Sequence, residues 1–445
     1  MLKGYREYKE TNTSWLPLIP KDWISSKIGE LFEERRMKVS DKEYAPLTVG
    51  KMGVVPQLST VAKSNDGENR KLVKSGDYVL NSRSDRKGSS GLSSYDGSVS
   101  LINIVLILRK GNGRYYHHLL KSHYWVEEYY RNGRGIVADL WTTRFSEMKC
   151  IVLPVPPRSE QDQIVRYLDW KVSMINKYIN AKKKQIELLK EQKQAIINQA
   201  VTKGLDLEAP MKESGIEWLG KIPAHWEILY LSQVAGEQCI SNKDVHNQNL
   251  LSLSYGNIVN KDINTTEGLL PTSFDTYQVV NPGNVILRLT DLQNDWKSLR
   301  VGLVTQTGII TSAYVCLFCR DAILPDYLYL LLHSFDICKV FYGIGGGVRQ
   351  SIGYKEIRKL LVLLPPKSEQ QKITNYCKSR ITIIDGHVRQ IENTIILLQE
   401  YRTCLISDVV TGKVGVQDEK VPEFVIKKED LTGIEQVIEG DIDEK

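Results

Sequence analysis

Arginine presents two parallel donors that fit the acceptor edge of guanine. Asparagine and glutamine fit adenine, and serine, threonine and lysine hold phosphate oxygens. Residues of these types gather in polar loops of this 445-residue chain. The stretch Asn81-Ser82-Arg83-Ser84-Asp85-Arg86-Lys87-Gly88-Ser89-Ser90-Gly91 offers Ser82, Arg83, Arg86 and Lys87. A second stretch adds Arg134 and Arg144, with Arg131, Trp141, Thr142 and Thr143 beside them. In the second half, Arg288 to Asp295 offers Arg288, Thr290 and Gln293, and a glycine-rich run leads into Arg349, Gln350 and Ser351. These residues form the candidate set for contacts to DNA bases or phosphates. The alternative for each is a solvated loop position.

None of the compact motifs of enzyme chemistry stands out in the sequence. No G-x-x-x-x-G-K-[ST] phosphate loop occurs. Gly343 to Gly347 is glycine-rich but departs from G-x-G-x-x-G and follows an expected helix rather than a strand. Cys316 and Cys319 have C-x-x-C spacing but lie in an apolar β run without a second pair, which reads as buried thiols. His117, His118 and His123 have no framing carboxylate motif and read as ordinary core or surface histidines. No short Asn- or Asp-Pro-Pro-aromatic loop of the adenine-methylase kind is present. A dispersed Ser–His–Asp set is not something spacing can test, and nothing points to one.

Composition sets the frame for these loops. The length calls for two or more domains. No run of about 18 apolar residues suggests a membrane span, and the N-terminal stretch has no apolar signal core. Seven scattered cysteines suggest reduced thiols and a cytoplasmic setting. The net charge of +6 is unevenly spread. After Val416 come Asp418, Glu419, Glu423, Glu429, Asp430, Glu435, Glu439, Asp441, Asp443 and Glu444 against four lysines, so the body is the more basic part and suits a polyanion. The acidic end is expected to be a mobile tail.

The elements that position the loops are duplicated. Pro156-Pro157-Arg158-Ser159-Glu160-Gln161 returns as Pro365-Pro366-Lys367-Ser368-Glu369-Gln370. Each copy opens a run of heptads. In the first, Val165, Val172, Ile179, Ile186 and Ala200 form one column, with Lys193 interrupting; Leu168, Ile175, Leu189 and Ile196 form the other, with Lys182 interrupting. In the second, Thr374, Ile381, Val388, Ile395, Arg402 and Val409 stand beside Cys377, Ile384, Ile391, Leu398 and Leu405. This spacing predicts two coiled-coil helices of about 40 residues, roughly 60 Å each. Ser159 and Ser368 are the expected N-caps, and Gly204 and Gly412 the stops. The nearest partner for each seam is the other helix. Core helices of a globular fold, or pairing with another protein, are the alternatives.

A second repeat precedes the first. Trp15-Leu16-Pro17-Leu18-Ile19-Pro20-Lys21-Asp22-Trp23 matches Trp218-Leu219-Gly220-Lys221-Ile222-Pro223-Ala224-His225-Trp226. A short helix is expected over Lys27 to Met37, with a counterpart near Leu229. Strands are expected at Gly76–Leu80, Leu101–Leu108, Ile151–Val155, Gly283–Leu287, Ser312–Phe318 and Leu361–Leu364, and helices at Tyr116–Tyr130 and Pro325–Val340. The division is then 1–155 (first α/β domain), 156–204 (long helix), 205–217 (linker), 218–364 (second α/β domain), 365–413 (long helix) and 414–445 (acidic tail). The fold class is α/β (α+β), two copies on an antiparallel coiled coil, a pseudo-twofold internal repeat. The halves differ more in their domains than along their helices: one scaffold with two surfaces.

Two α/β domains, each closed by a strand, P-P-[RK]-S-E-Q and a long helix ending in V-T, together with the W-L-x-x-I-P-x-x-W entry, resemble the specificity subunit of type I restriction–modification enzymes. The resemblance runs to about Val416. It departs at Leu16-Pro17-Leu18, where the pattern has L-G-x, and in the acidic tail. It implies that each domain is a target recognition domain reading one half of a split, asymmetric DNA target. It implies that the helices set the unread spacer and dock two adenine methyltransferase subunits. Cofactors would then lie on partners: S-adenosylmethionine on the modification subunits, ATP and magnesium on restriction subunits, and none on this chain, which would be non-catalytic. The rival readings are a stand-alone bipartite DNA-binding regulator or scaffold, and an enzyme with dispersed catalytic residues.

Overall fold

The two repeated motifs explain each other in three dimensions. In the computed structural model, which describes residues 3–51, 53–57, 67–136, 141–216, 218–243, 245, 247–263, 273–296, 298–344 and 352–424, Trp23 is fully buried and its indole N–H donates to Glu160 at 3.0 Å. Trp226 is equally buried and donates to Glu369 at 3.1 Å. The glutamine after each glutamate completes the corner. Gln161 donates to the Pro156 carbonyl (2.9 Å) and accepts the Asn112 amide (2.8 Å). Gln370 donates to the Pro365 carbonyl (2.8 Å) and accepts the Leu324 amide (2.8 Å). Each Pro-Pro-x-Ser-Glu-Gln therefore ties the entry loop, the domain helix and the long helix to one point. Glu160, Gln161 and Gln370 are buried, so each must be satisfied internally, and Glu369 is half-buried.

The chain divides into two compact units: Met1–Lys184 with Ile391–Lys445, and Gln185–Gln390. Both division points fall inside the long helices, which span Arg158–Lys203 and Lys367–Val410. Pro157 and Pro366 cannot continue a helix backwards. Their carbonyls accept the amides of residues 160 and 161, and of 369 and 370. Ser159 and Ser368 consequently lie one residue inside the helices rather than at the expected N-caps. Gly204 and Gly412 stop the helices at φ of +76° and +77°.

In the first unit, a four-stranded antiparallel sheet has the order Ser90–Leu92, Tyr78–Asn81, Asn103–Leu108, Phe32–Glu34. A three-stranded sheet of Gly97–Ser100, Arg70–Val73 and Lys38–Val39 accompanies it. Helices Gly113–Lys121 and His123–Arg131 follow, and Val152–Val155 closes the domain antiparallel to Ile24–Lys27. In the second unit the sheet runs Val301–Leu303, Val285–Leu287, Val315–Cys319, Ala235–Glu237, the same topology with the same sequence roles. Helix Pro325–Ile337 follows, and Leu361–Leu364 closes the domain against Glu227–Tyr230. Tyr115 bonds the Pro154 and Val410 carbonyls (3.1 Å each). Its counterpart Tyr327 bonds those of Leu363 and Val201 (3.3 and 3.4 Å).

The long helices pair antiparallel within each unit. Arg402 donates to Asn176 at 2.6 Å in the first, and Lys193 pairs with Asp385 at 2.8 Å in the second. Val165, Leu168, Val172, Ile175 and Ile179 are buried along the first long helix, and Ile391, Ile395 and Leu405 along the second. Near the far end of the first helix, Ile197 rather than the expected Ile196 is the buried residue. Of the seam cations, Lys193 finds its acid and Lys182 lies 5.3 Å from the Tyr178 ring centroid.

Two expected helices are corrected. Lys27–Met37 has helical spacing at Ile28, Leu31 and Phe32, but only Ile28–Leu31 is helical. Phe32–Glu34 instead pairs with Leu106–Leu108, because that pairing buries Phe32 at the sheet edge. Tyr116–Tyr130 is two helices, broken where Ser122 is extended and its hydroxyl donates to the Leu119 carbonyl (2.6 Å). The acidic residues from 425 onward lie outside the described residues.

Candidate nucleic-acid interface

In the first unit the fold brings the two candidate loops together. Thr142 exchanges both backbone hydrogen bonds with Arg134 (2.8 and 3.0 Å) and is bridged on its other side to Arg83. Ser82 accepts from the Thr143 amide, and Ser84 donates to the Trp141 carbonyl. Residues directly opposite in antiparallel pairing project to one face, so Arg83, Thr142 and Arg134 form a row. Both arginines are exposed, and neither forms an ion pair among the described residues. Arg86 lies in the 3₁₀ turn Ser84–Arg86, 3.8 Å from Asp85. Lys87 pairs with Glu127 at 2.8 Å and stands 4.6 Å from the centre of the Tyr130 ring, which packs against Trp141.

Arg144 and Ser82 border an open groove of about 550 Å³. Its other wall carries Arg36, Lys38 and Lys71, which sequence reasoning missed. Lys38 stands directly opposite Lys71 on paired strands. Lys71 contacts the Asn103 carbonyl (2.8 Å) and Glu34 (3.4 Å), and Arg36 contacts Glu34 (2.8 Å). No local pattern announces these cations, because strand register alone assembles them.

In the second unit the loop after Val285–Leu287 is wound around Arg300, which is fully buried. Its guanidinium donates to the carbonyls of Arg288 (3.1 Å), Thr290 (2.7 Å), Asp291 (3.3 Å) and Asp295, and to the Tyr342 hydroxyl (2.9 Å). Asp291 takes a left-handed conformation, φ +55°, which Asp tolerates. Thr290 thus serves through its carbonyl, and Arg288 leans toward Asp295 at 3.9 Å. Gln293 is exposed and accepts the Trp296 indole N–H at 3.0 Å through its carbonyl. Trp296 is 56% exposed and stacks on Tyr342 at 4.5 Å, with Lys339 4.9 Å from the same ring. Arg300 and Trp296 were absent from the sequence-based set. Arg349, Gln350 and Ser351 lie outside the described residues.

Each surface can hold phosphate through cations and present base-reading donors, and each has a cation over a tyrosine that packs on a tryptophan. Such rings stack on bases or sugars. The histidines are differently employed. His118 lies buried 3.1 Å from Asp169, which also holds Arg114 at 2.7 Å. Burial pushes the Asp169 carboxyl up, but the bonds from His118 and Arg114 outweigh it and leave it below the ordinary value. Burial pushes the Cys316 and Cys319 thiols up to about 12, and all seven cysteines are free. Among the described residues, no group of three or more His, Cys, Asp or Glu side chains could hold a metal ion, and no helix is long and apolar enough to cross a membrane.

Two α/β units of one topology with unlike polar loop surfaces, carried on antiparallel long helices, define an internally duplicated fold. That fold is found in type I restriction–modification systems. The chain is similar to a chain of a type I R-M system solved in a study of complex assembly and conformational transition (TM-score 0.65, 13% identity, 89% of this chain and 99% of that one). It is also similar to the HsdS subunit from Thermoanaerobacter tengcongensis (TM-score 0.50, 14% identity, 91% and 100%). In sequence it is 22% identical over 445 residues to a Methanocaldococcus jannaschii protein provisionally named the MjaX type I restriction enzyme specificity subunit, covering 92% of this chain and 98% of that protein. The MjaVIII type I restriction enzyme specificity subunit of the same organism is 35% identical over 88 residues, 20% of this chain and 19% of that protein. No family model matches. The resemblance carried by the repeated motifs thus has a full-length counterpart among type I specificity subunits, in sequence and in fold.

Proposed function

We propose that this chain is the DNA sequence-recognition subunit of a type I restriction–modification complex and is itself non-catalytic. The observation that carries the reading is one sheet topology repeated with two different loop surfaces. A protein that reads an asymmetric split target needs one framework and two specificities. The row Arg83–Thr142–Arg134 and the groove beside Arg144 would read one half-site. The Arg300-centred loop with Gln293 and Trp296 would read the other. Phosphate contacts position such a surface and base contacts specify it.

The partners follow from the same reading. Met174 and Tyr178 on the first long helix, and Leu397 and Tyr401 on the second, are four apart and exposed, leaving apolar stripes in the first unit. These suit the docking of adenine methyltransferase subunits, two per chain. S-adenosylmethionine would sit on those subunits, and ATP and magnesium on restriction subunits. The complex would act in the cytoplasm, where its DNA is.

Exchange of residues 1–155 for the corresponding domain of another specificity subunit tests this division. The methylated target should change in one half and keep the other. A target changed in both halves would contradict it.

A further inference from the structure

We propose that the first unit contains a phosphate-binding pocket between its helix pair and the second long helix. A cavity of about 260 Å³ lies there, lined by Lys51, Lys87, His117, Lys121, Arg402 and Ser407 and by the start of helix His123–Arg131. Among the described residues, no acidic side chain lines it. Two acids stand behind the wall: Glu127 pairs with the lining Lys87, and Asp169 with the lining His118 and with Arg114, which leaves Lys51, Lys121 and Arg402 as the cations not paired to either.

Three observations make this a built site rather than a basic patch. Ser407 is 2% exposed, and its hydroxyl has no hydrogen-bond partner. Leaving a buried hydroxyl unpaired is costly, and Ser407 belongs to the cavity wall, so the site holds a donor that lacks an acceptor. His117 accepts the Leu92 amide at Nδ1 (3.2 Å), which places the proton of the neutral ring on Nε2 and makes that atom a donor. Ser122 spends its hydroxyl on the Leu119 carbonyl, so no side chain caps the following nine-residue helix. Its first-turn amides and positive end favour an anion. Arg402 is 6% exposed and held by Asn176, and the Lys121 ammonium is fixed on the Lys51 carbonyl (2.5 Å). Fixed donors converging from several elements suit an oxygen-rich tetrahedral anion better than a planar carboxylate.

The phosphate is either a backbone phosphate of bound DNA, which rests on the proposed function, or free phosphate. Two measurements on the full chain separate these sources. The first is the melting temperature with inorganic phosphate against chloride at constant ionic strength. The second is the affinity for a fixed DNA duplex as a function of salt, in complex with the methyltransferase. Ser407→Val removes the unpaired hydroxyl and fills space; Lys51→Gln removes a charge at the cavity's edge. Phosphate should raise the melting temperature of the parent chain, and each variant should weaken phosphate binding at least about tenfold. With backbone phosphate as the source, both variants also weaken DNA binding, and Lys51→Gln shallows the log–log salt slope by about 0.9. Loss of DNA affinity without a free-phosphate response assigns the backbone as sole source. Lost phosphate binding with unchanged DNA affinity assigns free phosphate. The inference is overturned if phosphate does not stabilise the parent chain and both variants bind DNA like the parent. The phosphate arm reads the pocket even if the chain directs no DNA methylation.

Discussion

The tryptophan and glutamate of the repeated motifs matter as a pair. Glu160 is 7% exposed and takes the Trp23 indole N–H together with Tyr5 and Gln417. Glu160→Ala strands a buried indole donor, so it should cost about 1–3 kcal/mol and lower the unfolding midpoint of the first unit. Glu369→Ala should do the same to the second. Urea denaturation monitored by tryptophan fluorescence and by domain-resolved hydrogen exchange checks this; a Glu160→Ala chain unfolding like its parent would contradict it. The motif residues were legible in the sequence because they recur, but their pairing was not, since 137 positions separate Trp23 from Glu160. Arg300 was illegible for a different reason. Its partners are mostly backbone carbonyls, which every residue has, so no residue type signals them.

At the scale of elements, periodicity was the strongest signal. The heptad columns anticipated helices that span 46 and 44 residues, and most of the seam residues named from spacing are buried. The signal failed where short elements compete. Ile28, Leu31 and Phe32 fit a helix, yet a strand partner more than 70 residues away claims Phe32. The seam also thins: none of residues 181–196 is buried. Insertions there displace no fully buried side chain, and those before Lys193 shift its pairing with Asp385. A heptad inserted in register within Lys182–Gln194 adds about 10 Å to the first long helix. On the proposed function it should lengthen the unread spacer by up to about three base pairs while both half-sites persist. Methylation-site mapping checks this, and an altered half-site with an unchanged spacer would count against it.

At the scale of the molecule, duplication was legible from repeated motifs, whereas the two surfaces were not. The loops that differ carry no repeat, and the cations Arg36, Lys38 and Lys71 come together only through strand register. The functional reading therefore rests on two unlike surfaces in one duplicated framework. Its most direct test is single-molecule sequencing of DNA from cells expressing this chain with its neighbouring adenine methyltransferase, compared with cells lacking the chain. The account predicts methyladenine on both strands of one split, asymmetric motif, present only when the chain is. An active methyltransferase that leaves the same pattern with and without the chain would contradict it.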